Sequence, residues 1–210
     1  MKSIREIMRA SPVMPVIVLD RVADAVPLAK ALVAGGIRVL EVTLRTPVAL
    51  DCVRAIRAAV PEAIVGVGTI SNVADLDAAR DAGAVFGVSP GATAAVLTRA
   101  KSADFPFLPG VMTPSEVMYA LAAGFDAMKL FPAKQAGGID MLKAIGGPFP
   151  QVLFCPTGGI DAGSAAQYLA LANVACVGGS WLAPADLVAK SAWAEIERRA
   201  RQASQLAIPH

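Results

Sequence analysis

Four features of this sequence could do chemistry together: a lysine, a glutamate and an arginine set in or beside apolar stretches, and paired glycines. The lysine lies in Phe125-Asp126-Ala127-Met128-Lys129-Leu130-Phe131-Pro132-Ala133, where an acidic and then a basic residue interrupt an apolar strand and a proline closes it. Side chains alternate between the faces of a strand, so Ala127, Lys129 and Phe131 share one face while Met128 and Leu130 take the other. An ammonium among apolar neighbours is costly to bury while charged, and a lowered pKa is the usual relief. The resulting neutral amine attacks a carbonyl carbon and forms a Schiff base. The structural alternative is a lysine that snorkels to water at the strand end. Lys134 is the rival nucleophile, but it lies past Pro132 in a glycine-rich loop, where exposure would keep it protonated. Lys2, Lys30, Lys101, Lys143 and Lys190 fall on helices or termini and read as solvated.

The glutamate and arginine stand in Leu40-Glu41-Val42-Thr43-Leu44-Arg45-Thr46-Pro47. Glu41, Thr43 and Arg45 share parity, so they can face one cavity. A carboxylate in an apolar strand is a candidate general acid and base. Arg45 offers a planar fork that fits a substrate carboxylate. The structural alternative is an internal Glu41–Arg45 ion pair with no chemistry. In Val65-Gly66-Val67-Gly68-Thr69 the glycines would let a ligand approach the backbone, with the Thr69 hydroxyl beside it. Ser89-Pro90-Gly91 reads as a tight turn. Pro156-Thr157-Gly158-Gly159 and Gly178-Gly179-Ser180 place paired glycines after two successive strands, where exposed N–H groups can make an anion nest.

The surrounding pattern says what positions these groups. Strand-like runs occur near residues 13–19, 37–43, 63–68, 84–88, 105–108, 127–131, 152–155 and 174–177. They alternate with Ala-rich helical segments at 23–34, 47–59, 73–82, 93–101, 114–123 and 162–172, after a short amphipathic helix at 2–10. Gly35-Gly36, Gly83 and Gly124 mark helix ends. This alternation, without a linker, predicts a single α/β domain over residues 1–210, a closed (β/α)8 TIM barrel with a short N-terminal helix. An open doubly wound sheet is the competing topology, but Leu19-Asp20-Arg21-Val22 replaces the dinucleotide fingerprint after the first strand. In a barrel, reactive groups gather at the C-terminal strand ends, and the loops after strands 7 and 8 commonly hold phosphate. Residues 195–205 read as a charged, solvated terminal helix.

Composition narrows the partners. The 210 residues are 55% hydrophobic and 17% charged, with a net charge of +2. That balance does not point to nucleic acid or an anionic membrane. No apolar run is long enough to span a bilayer, and the N-terminus lacks the apolar core of a secretion signal, so a cytoplasmic location is expected. Cys52, Cys155 and Cys176 show no metal-ligand spacing and read as reduced core thiols. The sole histidine is His210, which disfavours histidine triads and histidine metal sites.

Seven of these stretches, taken in order, resemble one known family: Pro12-Val13-Met14-Pro15-Val16-Ile17, Glu41-Val42-Thr43-Leu44-Arg45-Thr46, Gly66-Val67-Gly68-Thr69, Ser89-Pro90-Gly91, Lys129-Leu130-Phe131-Pro132-Ala133, Phe154-Cys155-Pro156-Thr157-Gly158-Gly159-Ile160 and Gly178-Gly179-Ser180-Trp181. The family is that of the 2-keto-3-deoxy-6-phosphogluconate (KDPG) aldolases, which also act on 4-hydroxy-2-oxoglutarate (KHG). The resemblance runs from about Ile4 to Leu187. It implies a class I, metal-independent and cofactor-free aldolase on a (β/α)8 barrel, usually a homotrimer, acting on a small keto acid or sugar-acid phosphate. It also implies Lys129 as the Schiff-base residue, Glu41 as acid and base, and Arg45 as the carboxylate ligand. Thr69, Pro90 and Phe131 would line the pyruvate pocket, Thr157 would contact substrate, and Gly158, Gly159, Gly178, Gly179 and Ser180 would bind phosphate. Lys134 departs from the family pattern, where an acidic residue is common. Phosphogalactonate-type aldolases share the lysine and glutamate, and Thr157 in Pro-Thr-Gly-Gly favours the gluconate type. Other readings are a phosphosugar isomerase or epimerase with Glu41 as base, a metal-dependent aldolase, and a non-catalytic phosphometabolite-binding barrel.

Overall fold

Each apolar run becomes a parallel strand, or part of one, in the computed structural model, which describes residues 3–207. Lys2 and His210 lie outside the described residues. The strands are β1 (Val13–Ile17), β2 (Val39–Thr43), β3 (Ile64–Gly68), β4 (Gly87–Val88), β5 (Phe107–Leu108), β6 (Gly110–Val111), β7 (Ala127–Leu130), β8 (Leu153–Pro156) and β9 (Val177–Gly179). One six-stranded sheet runs β5-β4-β3-β2-β1-β9, and a three-stranded sheet runs β6-β7-β8. Pro109 separates β5 from β6, since proline has no N–H to donate to a ladder. At the other boundary, single parallel bridges join Phe154 to Val174 and Thr157 to Gly178.

Helices return the chain between strands, and the glycine signals work as expected. Gly36, Gly83 and Gly124 take φ of 91°, 86° and 82°. The residue after each donates its N–H five residues back, as in Ile37 to the Leu32 carbonyl and Phe125 to the Ala120 carbonyl, both at 2.9 Å. That closure stops the helix and aims the chain at the next strand. Two helices were not expected. Gly138–Gly146 is bracketed by Gly137-Gly138 and Gly146-Gly147, so its sequence reads as turns, and Ala185–Ala189 is only five residues long.

The apolar side chains form two layers. Met128 and Leu130 join the large cluster between sheets and helices. Ala127 joins a smaller inner cluster with Met14, Val39, Phe86, Val88, Leu108, Cys155 and Cys176. Ile7 and Met8 belong to this inner cluster, so the helix Ile4–Met8 plugs its floor, started by a reciprocal cap between Ser3 and Glu6. Asp126 lies just before β7 and not within it. It pairs with Arg5 at 3.1 Å, and Arg5 also donates to the Gln151 carbonyl at 2.6 Å.

The terminal helix Trp193–Ser204 is not solvated all round. Ile196, Ala200 and Ala203 are buried at helical spacing, and Gly35 lets the helix Ala25–Ala34 come so close that a Cβ there would overlap Ala200. Three small or branched residues make a stripe too narrow to stand out among the charges. On the outer face, hydrogen bonds from Arg198 and Arg199 hold the Glu195 carboxyl down to about 2.

Candidate active site

Lys129 and Glu41, 88 residues apart in sequence, meet inside the inner layer with Nζ 3.2 Å from Oε1. Their side chains are only 5% and 2% exposed. Lys129 is the third residue of β7, in register with Gly110 and Cys155, and its own N–H is fixed by the Pro109 carbonyl at 2.8 Å. Glu41 is the third residue of β2, in register with Val16 and Gly66. The lysine therefore does not snorkel to water, and the partner of Glu41 is Lys129 and not Arg45. An acid and an amine buried side by side face a large desolvation cost as an ion pair, so an arrangement of this kind is weak evidence for stability and stronger evidence for a chemical role.

Glycine makes the room for this pair. A Cβ at Gly68 would overlap the Glu41 carboxylate, and one at Gly66 would overlap the Phe86 ring. The expectation that these glycines admit a ligand is thus corrected: the space is filled by the protein's own side chains. Gly68→Ala is expected to cost about 1–3 kcal/mol by overpacking. Chemical denaturation measures it, and an unchanged midpoint would mean that Glu41 can move aside freely.

The other candidates divide by role. Thr43 is fully buried, and its hydroxyl donates to the Ile17 carbonyl at 2.9 Å, so it ties β2 to β1 and does not face an open cavity. Arg45 lies in the exposed turn after β2, where strand parity no longer applies. Thr46 anchors that turn by donating to the Leu19 carbonyl at 2.6 Å. The Phe131 ring centroid stands 5.2 Å from the Lys129 ammonium. Thr69 has φ of 64°, strained for a β-branched residue. Pro90 is exposed, its backbone set against Gly110, while Ser89 is buried and accepts the Gly110 N–H at 3.3 Å.

Thr157 is 5% exposed and donates to the Cys155 carbonyl at 3.4 Å. A Cβ at Gly178 would overlap its hydroxyl, and one at Gly179 would overlap the Trp181 ring. Gly158 and Gly159 take φ of 103° and 74°. Among the described residues, the N–H groups of Gly159 and Ser180 have no protein acceptor, while the Thr157–Gly178 bridge turns the Gly158 N–H toward the Gly178 carbonyl. Free donors on two neighbouring loops can converge on one anion.

Two further residues carry no signal in the sequence that separates them from ordinary core. Cys155 and Cys176 lie under the Lys129–Glu41 pair in the inner cluster. The Cys176 thiol is pushed well up, first by its hydrogen bond with Cys155, then by burial and by electrostatic repulsion from its neighbours Cys155 and Glu41. It is an inert core thiol, not a nucleophile. Surface cavities of about 480 Å3 beside Lys101 and Phe125 and about 500 Å3 beside Trp181 and Arg199 are not lined by Lys129 or Glu41.

Comparison with known proteins places this arrangement among relatives. A family model described as "KDPG and KHG aldolase" matches residues 4–199. The KHG/KDPG aldolase of Escherichia coli strain K12 is 50% identical over 201 residues, 96% of this chain and 94% of that protein. The 2-dehydro-3-deoxy-phosphogluconate aldolase of Zymomonas mobilis is 48% identical over 97% of this chain and 96% of its own. Among solved structures, the KDPG aldolase of Legionella pneumophila superposes with a TM-score of 0.95 at 46% identity, covering 97% of this chain and 99% of that one. In it, pyruvate is captured at low pH as a covalent carbinolamine.

Proposed function

The chain belongs to the KDPG and KHG aldolase family, and on that footing we propose that Lys129 and Glu41 together cleave a 2-keto sugar acid. The chain is a class I aldolase, a lyase that works through a Schiff base. Its substrate is 2-keto-3-deoxy-6-phosphogluconate, split to pyruvate and glyceraldehyde 3-phosphate; 4-hydroxy-2-oxoglutarate is split to pyruvate and glyoxylate.

The Lys129 nitrogen adds to the C2 ketone with its lone pair, giving a carbinolamine. A proton that Lys129 has passed to Glu41 is returned to the carbinolamine hydroxyl, which leaves as water and gives the iminium ion, whose positive nitrogen accepts the electron pair of the C3–C4 bond. Glu41 takes the C4 hydroxyl proton as that bond breaks, and the aldehyde leaves. Glu41 then returns a proton to C3 of the enamine, and water releases pyruvate and the free amine. No metal or cofactor takes part. Arg45, at the open end of β2, is assigned to the substrate carboxylate. Thr69, Pro90 and Phe131 flank the pyruvate unit, and Thr157 contacts substrate. Gly158, Gly159, Gly178, Gly179 and Ser180 seat the phosphate, whose binding energy positions the bond to be broken.

The observation that carries this reading is the 3.2 Å approach of two buried groups, one nucleophile and one base, on facing strands. Borohydride added with pyruvate is expected to fix a covalent adduct on Lys129, located by peptide mass spectrometry. An adduct on another lysine would overturn the assignment to Lys129, and resistance to reduction with substrate present would favour the isomerase or epimerase reading.

The same reading extends to architecture. Taking β5 and β6 as one strand broken at Pro109, and the Thr157–Gly178 bridge as the seam, the two sheets make one closed (β/α)8 barrel, a single domain over residues 1–210. The subunit is one third of a cytoplasmic homotrimer. Exposed Met112, Met118 and Tyr119, in and beside the helix Pro114–Ala122, support a self-association face.

A further inference from the structure

We propose that Lys134 is a specificity residue at the phosphate end of the site, pairing its ammonium with the phosphate ester of the substrate and contributing little to substrates that lack one. The inference rests on the assignment of the Gly158–Gly159 and Gly178–Ser180 loops as the phosphate seat.

Backbone geometry fixes where Lys134 stands. The Ala133 N–H donates to the Thr157 carbonyl at 2.8 Å and the Lys134 N–H to the Gly158 carbonyl at 3.1 Å, so the segment after β7 is zipped onto the loop after β8. The lysine stem then runs along Gly159. A Cβ on Gly159 would lie 2.6 Å from the Lys134 Cβ and 2.8 Å from its Cδ. Glycine at 159 thus leaves its N–H free while the lysine lies beside it. The lysine stem thus lies beside the unpartnered Gly159 donor, and its flexible end can reach an anion held there.

Among the described residues, Lys134 Nζ has no ion pair and no hydrogen bond. A cavity of about 360 Å3 beside it is lined by Gly137, Gly159, Asp140, Asp161 and Tyr168 as well as Lys134 itself. Its charge helps hold the Asp161 carboxyl below its usual range, although the side chain and N–H of Ser164 do more. Asp161 feels the ammonium's charge but forms no ion pair with it, its Oδ1 accepting from the Gly163 N–H at 3.1 Å, the Ser164 N–H at 2.9 Å and the Ser164 hydroxyl at 2.8 Å. Asp140 caps nothing and lies on the same wall. A lysine is a mobile point charge that follows a phosphate without a fixed fork geometry. A doubly charged phosphate gains more from it than the C5 carboxylate of 4-hydroxy-2-oxoglutarate, which ends closer to the reacting carbons.

The test compares both substrates on the intact enzyme. Lys134→Gln is expected to raise KM for 2-keto-3-deoxy-6-phosphogluconate about threefold, and Lys134→Glu about tenfold, with kcat little changed. Lys134→Arg, which keeps the charge, should restore the wild-type KM. For 4-hydroxy-2-oxoglutarate all three should stay within about twofold. The difference should shrink as salt is raised, because the pair is exposed. Equal effects on both substrates, or none on either, overturn the role of Lys134. Ser180→Ala and competition by inorganic phosphate tell that failure apart from failure of the seat. If either still discriminates against the phosphorylated substrate, the loops bind phosphate without Lys134; if neither does, the seat assignment falls with it.

Discussion

Lys129→Met is expected to lower carbon–carbon cleavage on the order of 10^4-fold or more, because the covalent route is lost. The same change removes one partner of a buried ion pair and leaves Glu41 at 2% exposure without its cation. Breaking such a pair from one side costs about 3–5 kcal/mol. The two consequences separate in a second variant. Lys129→Met with Glu41→Gln removes the stranded carboxylate and should recover much of the stability while staying inactive. Urea denaturation and a coupled assay for pyruvate measure both. Cleavage at an undiminished rate in Lys129→Met would remove the lysine from the mechanism. A double variant no more stable than the single would show that the pair is not what Lys129 contributes to the fold.

Glu41→Gln tests the other half of the pair. The amide keeps the shape of the side chain and an oxygen to accept from Nζ, but it cannot take or return a proton. General acid–base catalysis contributes about 10^2–10^4-fold, so kcat should fall by that amount. Borohydride should still trap pyruvate on Lys129. The sharper measurement is exchange of the pyruvate methyl protons with deuterium, followed by NMR, since it reports proton transfer at the enamine carbon without the aldehyde. Exchange at the wild-type rate in Glu41→Gln would mean that another group moves the proton. Gly68→Ala offers a milder control, because it displaces the same carboxylate without altering its chemistry.

Much of this was legible from residue order. Alternation of apolar runs with helices ended by Gly36, Gly83 and Gly124 announced a parallel α/β fold, because each glycine was needed for a positive φ at a known place in the cycle. Period-two alternation placed Lys129 opposite in face to Met128 and Leu130, as the two apolar layers bear out. Where the reading failed, the failure was spatial. Thr43 had the right parity, yet its hydroxyl went to a neighbouring strand. Gly66 and Gly68 looked like openings and proved to be filled by Phe86 and Glu41. The terminal helix looked solvated because only a narrow stripe of small residues gives away its packing against the helix Ala25–Ala34.

Residue order alone determined the kinds of group present, their faces on their own strands, and the family resemblance that named their roles. Only the tertiary structure decided that Lys129 stands 3.2 Å from Glu41 and that Arg45 sits outside in a turn. It also decided that Lys134 lies along Gly159. The reason is that parity is a property of one strand and is set locally. Which strand lies across the interior, and how much room a missing Cβ leaves there, depends on the register of every strand between them.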